Sequence, residues 1–258
     1  MRSILLLLLL CCSTNVLANV DNSEPKRWFN TLQYSKITPD SINAYQATSS
    51  YFFADQQHSG VWDDYGYLDT DSNVSISYQN IDSESVTGFY GEGFINNWFV
   101  LAEVSDTDNF NNNTLGFGYV YNDNLKAAVR LESVENDNNT LWFSSYYNTQ
   151  INDTDYFGAG FEIDEHVDNW QVSSRYFSHL GNSRYFTLDT AYENGEDNVF
   201  SALANYYFNT QFALGAGIQD SHLQLEAKYF INSRFFFTAN FTDYDEGDET
   251  SIQFSAFF

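Results

Sequence analysis

The sequence has 258 residues and a formal net charge of -25, from 35 acids against 10 bases. That balance argues against a nucleic-acid binder, which would show a basic patch, while 19% aromatic residues argue against the disorder that so acidic a chain would otherwise suggest. Phe and Tyr are abundant, and both prolines, Pro25 and Pro39, lie in the first 40 residues; this composition suits strands and tells against a helical or α/β enzyme.

The chain opens with Met1-Arg2-Ser3, the apolar run Ile4 to Leu10, then Cys11 and Cys12, and Val16-Leu17-Ala18. A basic start, a short apolar stretch and small residues at the end predict a secretory signal peptide over 1–18, cut after Ala18. The two cysteines raise a lipoprotein signal as the alternative, but neither follows Gly, Ala or Ser. After cleavage no cysteine remains, so the exported chain has neither disulfide nor thiol chemistry. Residues 19–27 read as a short N-terminal segment.

From residue 28 onward the dominant signal is alternation with period two. Leu125, Ala127, Val129 and Leu131 alternate with Lys126, Ala128, Arg130 and Glu132; Leu223, Leu225, Ala227 and Tyr229 alternate with His222, Gln224, Glu226 and Lys228. One face is expected to be apolar, the other polar or small. Counting such runs predicts sixteen strands: 28–37, 42–54, 73–82, 85–95, 97–106, 113–122, 124–135, 139–149, 153–163, 168–178, 183–193, 197–208, 210–219, 222–230, 233–243 and 249–258. Two classes of turn alternate between them. Tight turns flanked by aromatics carry Asn96, Asn122, Asn152, Asn182, Asn209 and Asn232; the others are acidic, as at Asp106 to Asn113 and Asp243 to Glu249. One end of a meander should therefore be acidic. The stretch 55–72 is the single long linker. By turn alternation it lies at the periplasmic side, where it either enters the lumen or packs under the rim; Asp63, Asp64 and Asp69 are its constriction candidates.

Periodicity alone does not say which face is inside. Export, aromatics at strand ends, and the final strand Ser251 to Phe258, with Ile252, Phe254 and Ala256 in step with Phe258, favour an all-β transmembrane antiparallel up-and-down barrel over a secreted soluble one. The terminal Phe258 looks like the outer-membrane assembly signal of Gram-negative porins, with Phe254 and Ile252 as its alternating partners. Tyr51-Phe52-Phe53, the linker through Trp62 and Leu68, then Asp71-Ser72-Asn73-Val74-Ser75, and later Ala204 to Phe212, resemble segments of the putative-porin family of marine γ-proteobacteria. Gly60-Val61 stands where that family's linker usually has Gly-Pro. The resemblance implies a single barrel domain over 28–258 in the bacterial outer membrane, surrounded by lipid and lipopolysaccharide and inserted by the barrel-assembly machinery. It implies passive diffusion of small hydrophilic solutes, with a homotrimer as one option for assembly. A structural or surface-interaction barrel with a blocked lumen is the alternative.

If the apolar set faces lipid, Glu92, Glu103, Glu132, Glu162, Asp189 and Glu226 face the lumen together with Lys126, Arg130, Arg175 and Lys228. Two readings stay open: an internally paired, solvated wall, or a transverse field that filters solutes. Acidic mouths should concentrate cations weakly. No catalytic, metal or cofactor site is expected. The histidines His58, His166, His179 and His222 are scattered, and in Ser178-His179 and Ser221-His222 adjacency points the side chains to opposite faces.

Overall fold

The computed structural model describes residues 24–82, 84–107, 111–135, 138–195, 198–245 and 247–258. The expected signal peptide over 1–18, and Asp108, Asp137, Glu196, Asp197 and Glu246 of the acidic turns, lie outside the described residues. The strands are β1 Lys26–Ile37, β2 Ile42–Gln56, β3 Asn73–Ile81, β4 Glu84–Ile95, β5 Trp98–Thr107, β6 Asn111–Tyr121, β7 Leu125–Val134 and β8 Thr140–Gln150. The second half follows as β9 Tyr156–Asp164, β10 Trp170–Gly181, β11 Arg184–Asn194, β12 Val199–Asn209, β13 Phe212–Gln219, β14 His222–Phe230, β15 Phe235–Tyr244 and β16 Gly247–Phe257. Each strand pairs antiparallel with its sequence neighbours, and β1 pairs with β16, closing a barrel. Closure pairs the backbone amides around the ring, the condition for crossing lipid with strands.

The expected strands match these sixteen, with ends shifted by a few residues. The asparagines of the tight turns work in two ways. Asn96, Asn122 and Asn182 take positive φ of 56°, 50° and 54°, a conformation Asn tolerates better than most residues. Asn152, Asn209 and Asn232 instead accept hydrogen bonds from backbone N–H groups two or three residues on, as Asn209 Oδ1 does from Gln211 N at 2.7 Å. Asp155 ends the β8–β9 turn. Its carboxyl is held down at about 2, first by the His179 backbone N–H, with Asn152, Thr154 and Ser178 also donating and burial opposing.

The seam between β1 and β16 runs in register from Phe29 opposite Phe257 to Ile37 opposite Glu249. Phe258 stitches it. Its carbonyl accepts from Arg27 N at 2.6 Å and Trp28 N at 2.8 Å, and its N–H donates to Trp28 O at 2.8 Å. Its ring lies against Trp28 and Phe235. Phe254 packs on Phe235 and Phe237, and Ile252 is exposed on the lipid face.

One expectation needs correcting. Near the end that carries both termini the inward face is not polar or small. Phe177, Tyr207, Phe230, Phe236 and Phe257 point inward and form a buried core with Val61 and Trp62 of the linker. The cause is the linker: it enters the barrel, and the aromatics of that end cover its apolar residues.

Candidate functional site

The linker 57–72 leaves β2 at the end that carries both termini and runs inside the lumen as a strap before β3. Its first half is fastened by packing and charge together. Val61 is 1% exposed, and Trp62 stands edge-on to Phe230 with centroids 5.9 Å apart. Asp63 accepts from Lys228 Nζ at 2.8 Å and from the Tyr207 hydroxyl. Asp64 accepts from the Tyr156 hydroxyl at 2.8 Å and faces Arg175 at 3.4 Å. Tyr65 sits against Phe29 and Phe257, and burial raises its phenol pKa.

Its second half lies against β7, β9 and β10. The Tyr67 ring lies on β9 so closely that a Cβ on Gly158 would stand 2.1 Å from its Cγ, so only glycine leaves room there. The Tyr67 hydroxyl bonds Ser173 at 2.9 Å. The Asp69 carbonyl accepts from Lys126 Nζ at 2.9 Å. The Asp69 carboxyl accepts from Asn73, and burial pushes its pKa up.

The ten wall residues picked out by alternation all point into the lumen. Lys126 pairs with Glu92 at 2.7 Å beside the rings of Phe94 and Phe99. Arg130 pairs with Glu162 at 2.7 Å and lies over Trp142, while the Tyr146 hydroxyl also donates to Glu162. Arg175 pairs with Asp189 at 2.5 Å, and Lys228 with Glu226 at 3.3 Å in addition to Asp63. Glu132 accepts from Trp142 Nε1 at 2.9 Å and Asn112 Nδ2 at 2.6 Å; Glu103 is exposed to the lumen. Each wall base therefore has a carboxylate partner. Counting the strap, acids exceed bases, with Glu103 and Glu132 making no ion pair among the described residues.

The strap leaves water-accessible space on both sides. A cavity of about 380 Å³ lies against β4 to β9, and one of about 400 Å³ beside Leu68 and Asp69 shares Tyr90, Glu92, Lys126 and Tyr146 with it. A third, about 720 Å³, lies between Tyr67 and β10 to β14. The rims also differ. At the end with the termini Lys26, Arg27, Arg184 and Arg234 are mixed with Glu24, Asp55, Asp123, Asp153 and Asp155, whereas the other end carries Asp82, Glu84, Asp106, Glu135, Asp220, Asp243 and Asp245 beside Lys36. Among the described residues no group of three or more His, Cys, Asp or Glu could hold a metal ion. His179 stacks on Tyr185 while Ser178 donates to Asp155, away from any nucleophile geometry.

Tyr67, Tyr156, Tyr207, Trp142 and Tyr146 were not singled out by alternation. The one signal that could have pointed to them is the apolar content of the linker, because Val61 and Trp62 between acids demand an apolar partner somewhere.

A family model described as "Putative general bacterial porin" matches residues 4–250. No curated protein matches the sequence. Among solved structures, the Acinetobacter baumannii outer membrane protein Omp33 superposes with a TM-score of 0.61 at 15% identity, over 92% of this chain and 100% of that one. A double mutant of the Rh. blastica porin gives 0.53 at 9% identity, over 90% and 99%. Pseudomonas aeruginosa OpdQ gives 0.51 at 10% identity, over 93% and 99%. At these identities the structures are alike in fold.

Proposed function

The chain belongs to the family of general bacterial porins and resides in the bacterial outer membrane, and from that premise we propose that it forms a water-filled channel for passive diffusion of small hydrophilic solutes, weakly selective for cations and narrowed by the strap. Family and fold point to a channel rather than an enzyme. The observation that carries the selectivity is the lumen's unbalanced charge: every wall base is held by a carboxylate, and further carboxylates remain. The acidic rim adds to it. Exposed charges are screened over about 10 Å at 0.1 M salt and about 3 Å at 1 M, so the preference should be modest and fade with salt. Assembly as a homotrimer, contact with lipopolysaccharide, and recognition of Phe258 by the barrel-assembly machinery belong to the same proposal.

The test is the reversal potential of refolded protein in a planar bilayer under a salt gradient, repeated from about 0.1 to 1 M salt. A weak cation preference that declines with salt supports the reading; an anion preference sinks it. A second reading, a structural barrel with a blocked lumen, is favoured by the apolar core around Trp62. Absence of current at any voltage would establish it.

A further inference from the structure

On the half of the wall nearer the acidic rim, four adjacent strands bring Tyr90, Glu103, Thr114 and Glu132 side by side, each opposite the next in register. Neighbouring strands lie about 4.8 Å apart. The two glutamates therefore flank Thr114 from either side, their backbones about 10 Å apart. All four residues line the 380 Å³ cavity.

The pairing inside that cavity is uneven. Its two bases are taken, Lys126 by Glu92 and Arg130 by Glu162. Glu132 is held only by the uncharged donors Trp142 and Asn112. Glu103 makes no ion pair and no hydrogen bond among the described residues. Two negative charges thus face the same space without a protein counter-charge. Thr114, between them, is 7% exposed and lines the cavity, and no described residue hydrogen-bonds its hydroxyl. A hydroxyl facing a cavity without a protein partner is completed by a ligand or water.

The chemistry of this site selects its occupant. Two carboxylates and a hydroxyl oxygen offer acceptors, and an ammonium group offers three donors and nothing else. A hard divalent ion needs several converging oxygens, and no group of three carboxylate or imidazole ligands is assembled here. The volume is of the size that holds a small organic molecule. Tyr90 and Tyr146 also line the cavity, and aromatic rings attract cations.

We propose that this cavity is a binding subsite for small organic cations carrying a primary ammonium group, which sits between Glu103 and Glu132 and donates to Thr114. The proposal rests on the reading that solutes enter the lumen, and names the class the lumen retains. A cation crossing the barrel pauses here, exchanging part of its hydration shell for the two carboxylates.

The experiment is calorimetric titration of the refolded mature protein in neutral detergent with n-butylammonium chloride, with sodium butyrate and calcium chloride in parallel. One saturable site for the amine is expected. The double variant E103Q/E132Q should weaken it at least tenfold and Thr114→Val several-fold, while Gln253→Ala on the far side of the lumen leaves it unchanged. Folding of each variant is checked by heat-modifiable mobility; if the double variant does not fold, Thr114→Val decides. Unchanged affinity in the folded variants, or butyrate or calcium binding as tightly in competition with the amine, overturns the proposal. Conductance in potassium chloride is read separately. A barrel that conducts but does not bind the amine refutes the subsite and keeps the channel; one that binds but does not conduct refutes the channel and keeps the subsite.

Discussion

Strands β16, β1, β2 and β3 line their share of the lumen with Ser251, Gln253, Ser255, Thr31, Gln33, Ser35, Gln46, Thr48, Ser50, Ser75 and Ser77, whereas the ten charged wall residues all lie between β4 and β14. The neutral arc satisfies itself locally: Gln33 donates to Ser35, Gln253 to Ser255, and Ser50 meets Ser75. The charged arc reaches inward instead, and three of its four bases also grip the strap. Charge in this lumen thus holds the strap by ion pairs, whereas the neutral arc touches it only through rings and uncharged donors, as at Phe29, Phe257 and Asn73. The charge of the solvated rims is a separate population.

That division can be broken most sharply at Lys228. Its ammonium answers both Asp63 and Glu226, and all three are largely buried. Lys228→Met leaves two carboxylates unanswered and should cost on the order of 3 kcal/mol, while Gln253→Leu on the neutral arc should cost about 1 kcal/mol or less. Urea midpoints followed by heat-modifiable mobility give both, and K228M/D63N should recover part of the loss. Equal losses at the two sites would erase the distinction between the arcs.

Releasing the strap is the next largest effect. D63A/D64A removes its acidic anchors, so single-channel conductance should rise several-fold. An unchanged conductance would mean that the narrowest point lies elsewhere. Smaller still is the change in selectivity. Arg130→Gln frees Glu162 and should raise the cation preference about twofold at low salt and hardly at all at 1 M, since the interaction is screened; Gln33→Leu should leave the reversal potential where it was. The smallest effect is at a turn outside both arcs. The Asp155 carboxyl titrates below its ordinary value, so it contributes stability that is complete above about pH 4 and lost as pH falls through about 2. Asp155→Asn should flatten that part of the pH dependence of urea resistance, and a curve identical to wild type would show that the turn contributes nothing.

Strand number and order were legible because alternation has a period of two and the turn asparagines recur between runs; one face of each strand follows from the other. The inward direction of Lys126 or Glu226 came from the same parity. Their partners did not, because Lys228 meets Asp63 only once the barrel has curved β14 round to the strap, and nothing in local spacing encodes that. The inward aromatics were hidden for a different reason. Phe230 and Phe236 sit at strand ends, where an interfacial girdle and a packed plug have the same composition. The unbroken runs Phe235-Phe236-Phe237 and Tyr206-Tyr207-Phe208, which put a large ring on each face, carried a trace of the plug. Whether the strap entered the barrel was undecidable from order along the chain, since both placements begin and end at the same rim.

The seam sets an order of events. Fifteen ladders join strands that follow one another along the chain and can zip as successive hairpins, but the last joins partners such as Asn30 and Ala256, 226 positions apart. Bringing such distant ends together is the entropically demanding step, so it comes late. The strap lies inside the ring that this step completes, with Tyr67 bedded on β9 and Asp63 against β14. Once the ring is shut, a segment carrying Trp62, Tyr65 and Tyr67 would have to pass the narrow aromatic end to reach its seat. The nascent sheet therefore has to gather the strap while still open, and the strap serves as a mandrel around which the second half of the chain is wound.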